Sequence, residues 1–464
     1  MMYFNSESDY IIFKDKLFNF KEESIKYCMG ILIVLQKILI NTINTLKELP
    51  FKNLINLFHN SNSISAFSHK VFFKFYAKGE IHKKLKIEIY SYIKNSFFGG
   101  RCEIFGNPLK DELVHYFDYS GMYGQCMLEK FPLGNASIEF GAKIIDKPGF
   151  YYIKFYQDLE FPILPTKIGN KLMFINGDLE GLYWFEEINL FLKYNGVINE
   201  IVYSLLYEKS DYIFKSFVED FNLIRHKGGY KKVLGKLIIN SLYGSFGLKE
   251  DETFTKLIYS EKEFLDILEN LNTKSFLKTN NCYLVEIIKD KQSQRLINKQ
   301  DRNWNSEFSE RNVGYASIIT SKARIKLYKA LMCTIEYGGR LLYTDTDSIF
   351  AAFKKANSNI GEIIWEELYE DACFILPKFY MLKKNKNEII KIKGVENYNL
   401  SYDEIKNIFY NSSEDSKIEM IPRKGIFNLG RRTSEKILWV NKYDKRRFIN
   451  EKKSSKAFFV NEIC

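Results

Sequence analysis

The stretch RLLYTDTDSIFAAF at residues 340–353 constrains the fold more than any other, because apolar runs flank a short polar turn on both sides. That pattern predicts two antiparallel strands whose tip presents Asp345 and Asp347. VHYFDYSG at 114–121 reads as another strand, running into a Gly-containing turn that begins at a third acid, Asp118. NVGYASIITSKARIKLYKALMCTIEYG at 312–338 reads as one long helix stopped by Gly338 and Gly339. From Tyr230 to Tyr243, the residues Lys232, Lys236, Asn240 and Tyr243 recur at spacings of four, four and three, which places them on one helical face. Gly228 and Gly229 break the helix between that stripe and Arg225. Residues 24–50 and 64–94 read as further helix, 131–200 as short strands and turns in a separate small unit, and 289–312 as polar surface chain.

Composition narrows the function. A chain of 464 residues with 46% apolar content can bury a large core and make two to four domains. Its 68 Lys and Arg exceed 57 Asp and Glu, giving +11, and the stretch from Ile421 to Lys456 carries twelve basic residues against three acidic ones. Phe427, Trp439, Tyr443 and Phe448 interleave with those charges, a pattern that suits gripping a phosphate backbone while still packing. Seven cysteines occur singly, so neither a disulfide framework nor a zinc knuckle is indicated, and a reducing compartment fits. The strongest apolar run, Cys28 to Leu35, meets Gln36 and Lys37 after eight residues, so no membrane-crossing helix and no membrane partner are expected. The opening MMYFNSESDYIIFKD resembles neither a secretory signal nor an Arg-rich presequence, so an organellar location would require synthesis inside the organelle.

Nucleotidyl transfer needs carboxylates that hold two metal ions close together, one for the attacking oxygen and one for the leaving pyrophosphate. With only Thr346 between them, Asp345 and Asp347 would lie on the same side of an extended strand and converge on one metal region. Alone, such a pair is more often a solvated turn, Asp118 is more often a strand-end cap, and Lys232 with Lys236 more often a solvated face. The word KLIINSLYG at 236–244 is far more specific.

In this arrangement the chain resembles family B DNA polymerases, particularly the protein-primed branch of phages and linear mitochondrial plasmids. Asp118 to Gly124 is similar to the DxxSLYP palm motif, Lys236 to Gly244 to KxxxNSxYG of the fingers, and Tyr343 to Ser348 to YxDTDS of the palm. Phe97 to Gly100 resembles YxGG, with Gly99 and Gly100 kept, and Lys378-Phe379-Tyr380 resembles KxY. Gly121 and Gly124 replace Ser and Pro of the first motif, and Phe97 replaces Tyr.

The resemblance implies an α+β right-hand fold with an antiparallel palm, helical fingers and thumb, and a degenerate N-terminal exonuclease remnant. It implies a remnant at 1–85, palm at 86–130 and 313–397, fingers at 205–247, and thumb at 398–464. Segments 131–204 and 248–312 resemble the two insertions that dock a terminal protein and encircle template. Asp118, Asp345 and Asp347 are the implied catalytic acids, with Asp118, Asp347 and the carbonyl of Tyr119 on the metals. Tyr123, Arg225, Lys232, Lys236, Asn240 and Tyr243 would bind nucleotide. Gly99, Gly100, Lys378, Tyr380, Arg431, Arg432, Arg446 and Arg447 would bind DNA. Two Mg2+ ions, replaceable by Mn2+, are the implied cofactors, and the implied partners are primer-template DNA, deoxynucleoside triphosphates and a terminal protein primer. The location implied is the mitochondrion, with the cytoplasm as the alternative. Glu23 and Tyr27-Cys28 stand where the exonuclease pattern YxxxD would put Tyr and Asp, so no proofreading is expected. The rival reading is a catalytically decayed, nucleic-acid-binding remnant of such an enzyme.

Overall fold

The computed structural model describes residues 20–77, 81, 85–141, 145–248, 253–279, 281–288, 308–309, 312–353, 359–393, 395–397, 400–411, 417–422, 436–439 and 445–463. Two compact units emerge, Met1–Ala77 with Phe214–Leu242, and Lys78–Ile213 with Tyr243–Cys464.

The first unit is helical. A 27-residue helix, Phe20–Leu46, is followed by Leu54–His59 and Ile64–Val71, the latter capped by the Ser63 hydroxyl accepting from Ala66 N. After a π-helical turn at Phe72–Tyr76, the unit resumes with Lys215–His226 and the first part of Gly229–Phe246. Aromatic rings fill its centre: Phe72 lies 5.0 Å from Phe214 and 5.9 Å from Phe217, and Phe217 lies 4.7 Å from Phe221. The last two helices are separated at Gly228 and Gly229, which take φ of 75° and 52° as the sequence break requires. They approach closely at Gly235, where a Cβ would meet the Phe221 carbonyl at 2.7 Å.

The long first helix corrects an expectation. It runs straight through Gln36 and Lys37, and its segment Ile25–Leu46, 22 residues, is by length and composition long and apolar enough to cross a membrane. One lysine and one glutamine dilute the apolar character of such a window without ending it. Ile25, Met29 and Leu32 are more than half exposed along one stripe, and Val34, equally exposed, lies on the opposite face. Surface of this kind promotes association. Converting Met29, Leu32 and Val34 together to Gln is therefore expected to reduce self-association in light scattering and to change stability by only about 0.5 kcal/mol per site. A large loss of stability would show that these side chains are packed.

The second unit is built around a five-stranded antiparallel sheet in the order Ile364–Tyr369, Leu113–Asp118, Ser348–Phe353, Arg340–Asp345, Cys102–Ile104. The predicted hairpin forms its middle, with Asp345 paired to Ser348. One face of the sheet buries Val114, Leu342, Tyr343 and Phe350 against Ala372, Phe374 and Leu382 of the next strands. Helix Val313–Glu336 is buried along most of its length, and Gly338 at φ 78° stops it. Ile325 and Tyr328 of this helix join a core with Tyr151, Ile153, Phe155 and Phe191. That core belongs to a four-stranded sheet, Ser137–Phe140, Val197–Leu206, Gly149–Gln157, Gly177–Trp184, with helix Phe185–Lys193. A smaller sheet of Thr253–Ile258, Tyr283–Ile288 and Thr273–Lys278 packs with helix Glu261–Asn270. Most of the polar stretch 289–312 lies outside the described residues.

Candidate active site

Three loops meet at one end of the central sheet. Asp118 is the last residue of its strand and pairs across to Ser348, the first residue after the hairpin turn. The next residue, Tyr119, donates its N–H to the Asp347 carbonyl at 2.9 Å, which ties the two acid-bearing loops together. Gly121 then takes φ 75° and opens the short helix Met122–Met127. Charge confirms the convergence: burial raises the Tyr116 phenol pKa, and the carboxylates of Asp118 and Asp347 both push it higher.

Asp345 and Asp347 do not lie on one side of a single extended strand, as their spacing had suggested. Thr346 takes φ 66°, and Asp347 N donates to the Asp345 carbonyl at 2.7 Å, so the turn falls between them and breaks the two-residue alternation. The Asp347 carbonyl accepts from the Asp118 loop, while the Asp345 carboxylate meets Lys378, whose ammonium is 2.8 Å from each of its oxygens. Burial works against the Lys378 charge, yet the bond to Asp345 prevails and lifts its pKa above the ordinary lysine range. Tyr380 packs its ring 5.3 Å from Tyr343 and 5.5 Å from Phe350.

Gly99 and Gly100 lie beneath this hairpin. The Thr346 N–H donates to the Arg101 carbonyl at 2.7 Å, and a Cβ on Gly100 would meet Thr346 Cγ2 at 2.7 Å. The glycine thus seats the acid-bearing turn. Tyr123 and Tyr243, from the first two motifs, are stacked with centroids 4.4 Å apart and their hydroxyls hydrogen-bonded. Burial and then the neighbouring Tyr243 keep the Tyr123 phenol neutral, with the Asp347 charge adding to the effect. Lys232 and Lys236 are exposed on the first-unit part of their helix, and Asn240 and Arg225 are half-buried in that unit.

The donors suit a hard divalent cation. Asp118, Asp347 and the nearby carbonyls are all oxygen ligands, and such ions are commonly held by one or two carboxylates completed by substrate phosphates. Among the described residues, no group of three or more His, Cys, Asp or Glu forms a cage by itself.

Residues 4–332 match the family of DNA polymerases of type B, organellar and viral. The chain belongs to this family. Proteins named Probable DNA polymerase are similar to it: that of Podospora anserina is 26% identical over 412 residues, covering 82% of this chain and 34% of the relative. That of Neurospora intermedia is 25% identical over 424 residues, covering 85% of this chain and 41% of the relative. The chain therefore spans well under half the length of these two relatives. Phi29 DNA polymerase, solved with primer-template DNA and incoming nucleotide substrates, superposes with a TM-score of 0.55 at 16% identity, covering 74% of this chain and 62% of that one. The fold is thus the α+β right-hand polymerase fold.

Several residues of this family member that support the site escaped the sequence reading. Arg324 is buried and bonds both oxygens of buried Glu187, at 2.6 and 2.7 Å, while donating to the carbonyls of Phe98 and Gly99. It thereby fixes the Gly-Gly turn under the hairpin. Lys322, two residues earlier, bonds Glu129 and Glu186 at 2.9 and 2.6 Å. The available signal was a run of four cations, Lys322, Arg324, Lys326 and Lys329, in the middle of a largely buried helix, a placement that calls for partners.

The basic C-terminal segment also departs from expectation. Arg431 and Arg432 lie outside the described residues. Arg446, expected on a DNA-binding surface, is 1% exposed. Its guanidinium bonds Ser455 and the Glu160 carbonyl and stacks 5.2 Å from the Phe105 centroid. Lys445 donates to the Cys102 carbonyl, and Lys453 to that of Pro108. Arg446–Ile449 and Ser454–Ala457 form a two-stranded hairpin of their own, and its region meets the edge strand Cys102–Ile104 through Lys445 and through the Ser455 hydroxyl, which donates to the Ile104 carbonyl. Arg447 remains at the surface, paired with Glu462 at 3.1 Å.

Proposed function

We propose that this chain is a DNA-directed DNA polymerase that adds deoxynucleotides to a primer 3′ end by two-metal nucleotidyl transfer. The observation that carries the reading is the Tyr119 N–H to Asp347 carbonyl bond at 2.9 Å, which holds the Asp118 and Asp347 loops side by side at the sheet end. Asp118, Asp347 and the Tyr119 carbonyl would hold Mg2+, with Mn2+ able to substitute. Bound there, the ions would activate the primer oxygen and neutralise the leaving pyrophosphate.

The chain's own residues supply the positioning. Tyr123, backed by Tyr243, forms a flat wall under the incoming sugar that leaves no room for a 2′-hydroxyl. Lys232, Lys236, Asn240 and Arg225 receive the triphosphate from the fingers, 205–247. The palm is 86–130 with 313–397, and the thumb is 398–464, gripping duplex through Arg447 and the Arg431-Arg432 pair. Segments 131–204 and 248–312 dock a terminal protein primer and guide template, and 1–85 is an exonuclease remnant. Replication of a linear plasmid in the mitochondrion is the setting that fits.

The test is extension of a primed template by the purified chain with Mg2+ and deoxynucleotides. Steady extension, without trimming of a mismatched 3′ end, is expected. No incorporation on any primer, with DNA binding retained, would leave the chain a binding protein and overturn this reading.

A further inference from the structure

Lys378 lies where a role in holding the primer strand was expected, and its surroundings point to a task within the chain itself. Its ammonium contacts both oxygens of Asp345 at 2.8 Å. Its backbone N–H donates to the Tyr343 hydroxyl at 3.0 Å, and that hydroxyl lies 3.5 Å from Asp345 Oδ2. The residue also takes φ 65°, a left-handed conformation that a lysine seldom adopts and that persists where surrounding contacts enforce it. Buried Tyr343 thus anchors the backbone of Lys378 and stands beside the carboxylate that its side chain holds. On the opposite side of Asp345, the Thr346 hydroxyl donates to Oδ1 at 3.2 Å. Both carboxylate oxygens of Asp345 are therefore engaged by this chain's own groups.

We propose that Lys378 is a positioning residue that neutralises Asp345 and keeps its carboxylate out of the metal site, leaving Asp118 and Asp347 as the ligand pair. This rests on the polymerase reading above, because it assumes that Asp118 and Asp347 take divalent metal. An ammonium bonded to both oxygens of Asp345 weakens the attraction of that carboxylate for a cation and fixes where it lies.

The experiment measures Mn2+ binding to the DNA-free, nucleotide-free chain by the electron paramagnetic resonance of free Mn2+, alongside single-nucleotide addition. Lys378→Met is expected to bind Mn2+ on the order of tenfold more tightly, since a positive charge beside the site is gone. Its addition rate should nevertheless fall. Lys378→Arg, which keeps the positive charge and presents a fork that fits a carboxylate, should restore both values. In the double variant Lys378→Met with Asp345→Asn, the removed charges cancel, and Mn2+ affinity should return to within about twofold of the starting protein. Lys378 is 43% exposed at its side chain, so its truncation opens no cavity, and an unchanged thermal melt verifies the fold. Unchanged Mn2+ affinity in Lys378→Met, with weakened primer-template binding, would overturn the inference and make Lys378 a DNA contact, while extension by the starting protein would leave the polymerase reading standing. No Mn2+ binding by the starting protein would overturn this inference together with the metal assignment beneath it.

Discussion

Asp118→Ala and Asp347→Ala are each expected to reduce the single-nucleotide addition rate by about a thousandfold or more, equivalent to several kcal/mol of lost transition-state stabilisation. Each removes a carboxylate from the pair of loops tied by the Tyr119 to Asp347 backbone bond, and neither breaks that bond. Primer-template binding should survive, because removing negative charge at the sheet end weakens no attraction for phosphate. Asp345→Asn should cost much less, since Asp345 is engaged by Lys378 and retains a neutral side chain of the same shape. Single-turnover addition at saturating DNA measures these rates separately from binding. Normal rates in either alanine variant would remove Asp118 and Asp347 from the chemistry.

The second large effect concerns stability. Glu187 and Arg324 have side chains 1% and 4% exposed and are joined by two short bonds, so Glu187→Ala strands a buried guanidinium. Breaking a buried pair from one side costs about 3–5 kcal/mol. Urea unfolding followed by fluorescence should show that loss. Adding Arg324→Leu should recover part of it, because an apolar pair in place of a buried ion pair is often neutral. The recovered variant should still add nucleotides poorly, since Arg324 no longer holds the carbonyls of Phe98 and Gly99 below the hairpin. If Glu187→Ala unfolds like the starting protein, the pair contributes no net stability and the Gly-Gly turn is held by other contacts.

Local pattern alone determined a good deal. The apolar runs on either side of the polar turn in RLLYTDTDSIFAAF correspond to strands Arg340–Asp345 and Ser348–Phe353, and the apolar run before Gly338 to helix Val313–Glu336. Gly228 and Gly229 separated two helices where they had to. These features depend on neighbours within a few residues, so a sequence read in order contains them. Other features depended on groups far apart in the chain. Lys378 meets Asp345 across 33 positions and Arg324 meets Glu187 across 137, and no periodicity encodes such distances. Charge counting failed at Arg446 for a related reason. A guanidinium satisfies a backbone carbonyl as readily as a phosphate, and only the folded sheet edge offered Arg446 the Glu160 carbonyl and the Phe105 ring in place of solvent. The turn at Thr346 belongs to the same class. DTD can continue a strand or reverse it, and the choice fell to tertiary contacts, since the Arg101 carbonyl receives the Thr346 N–H only when the chain turns there.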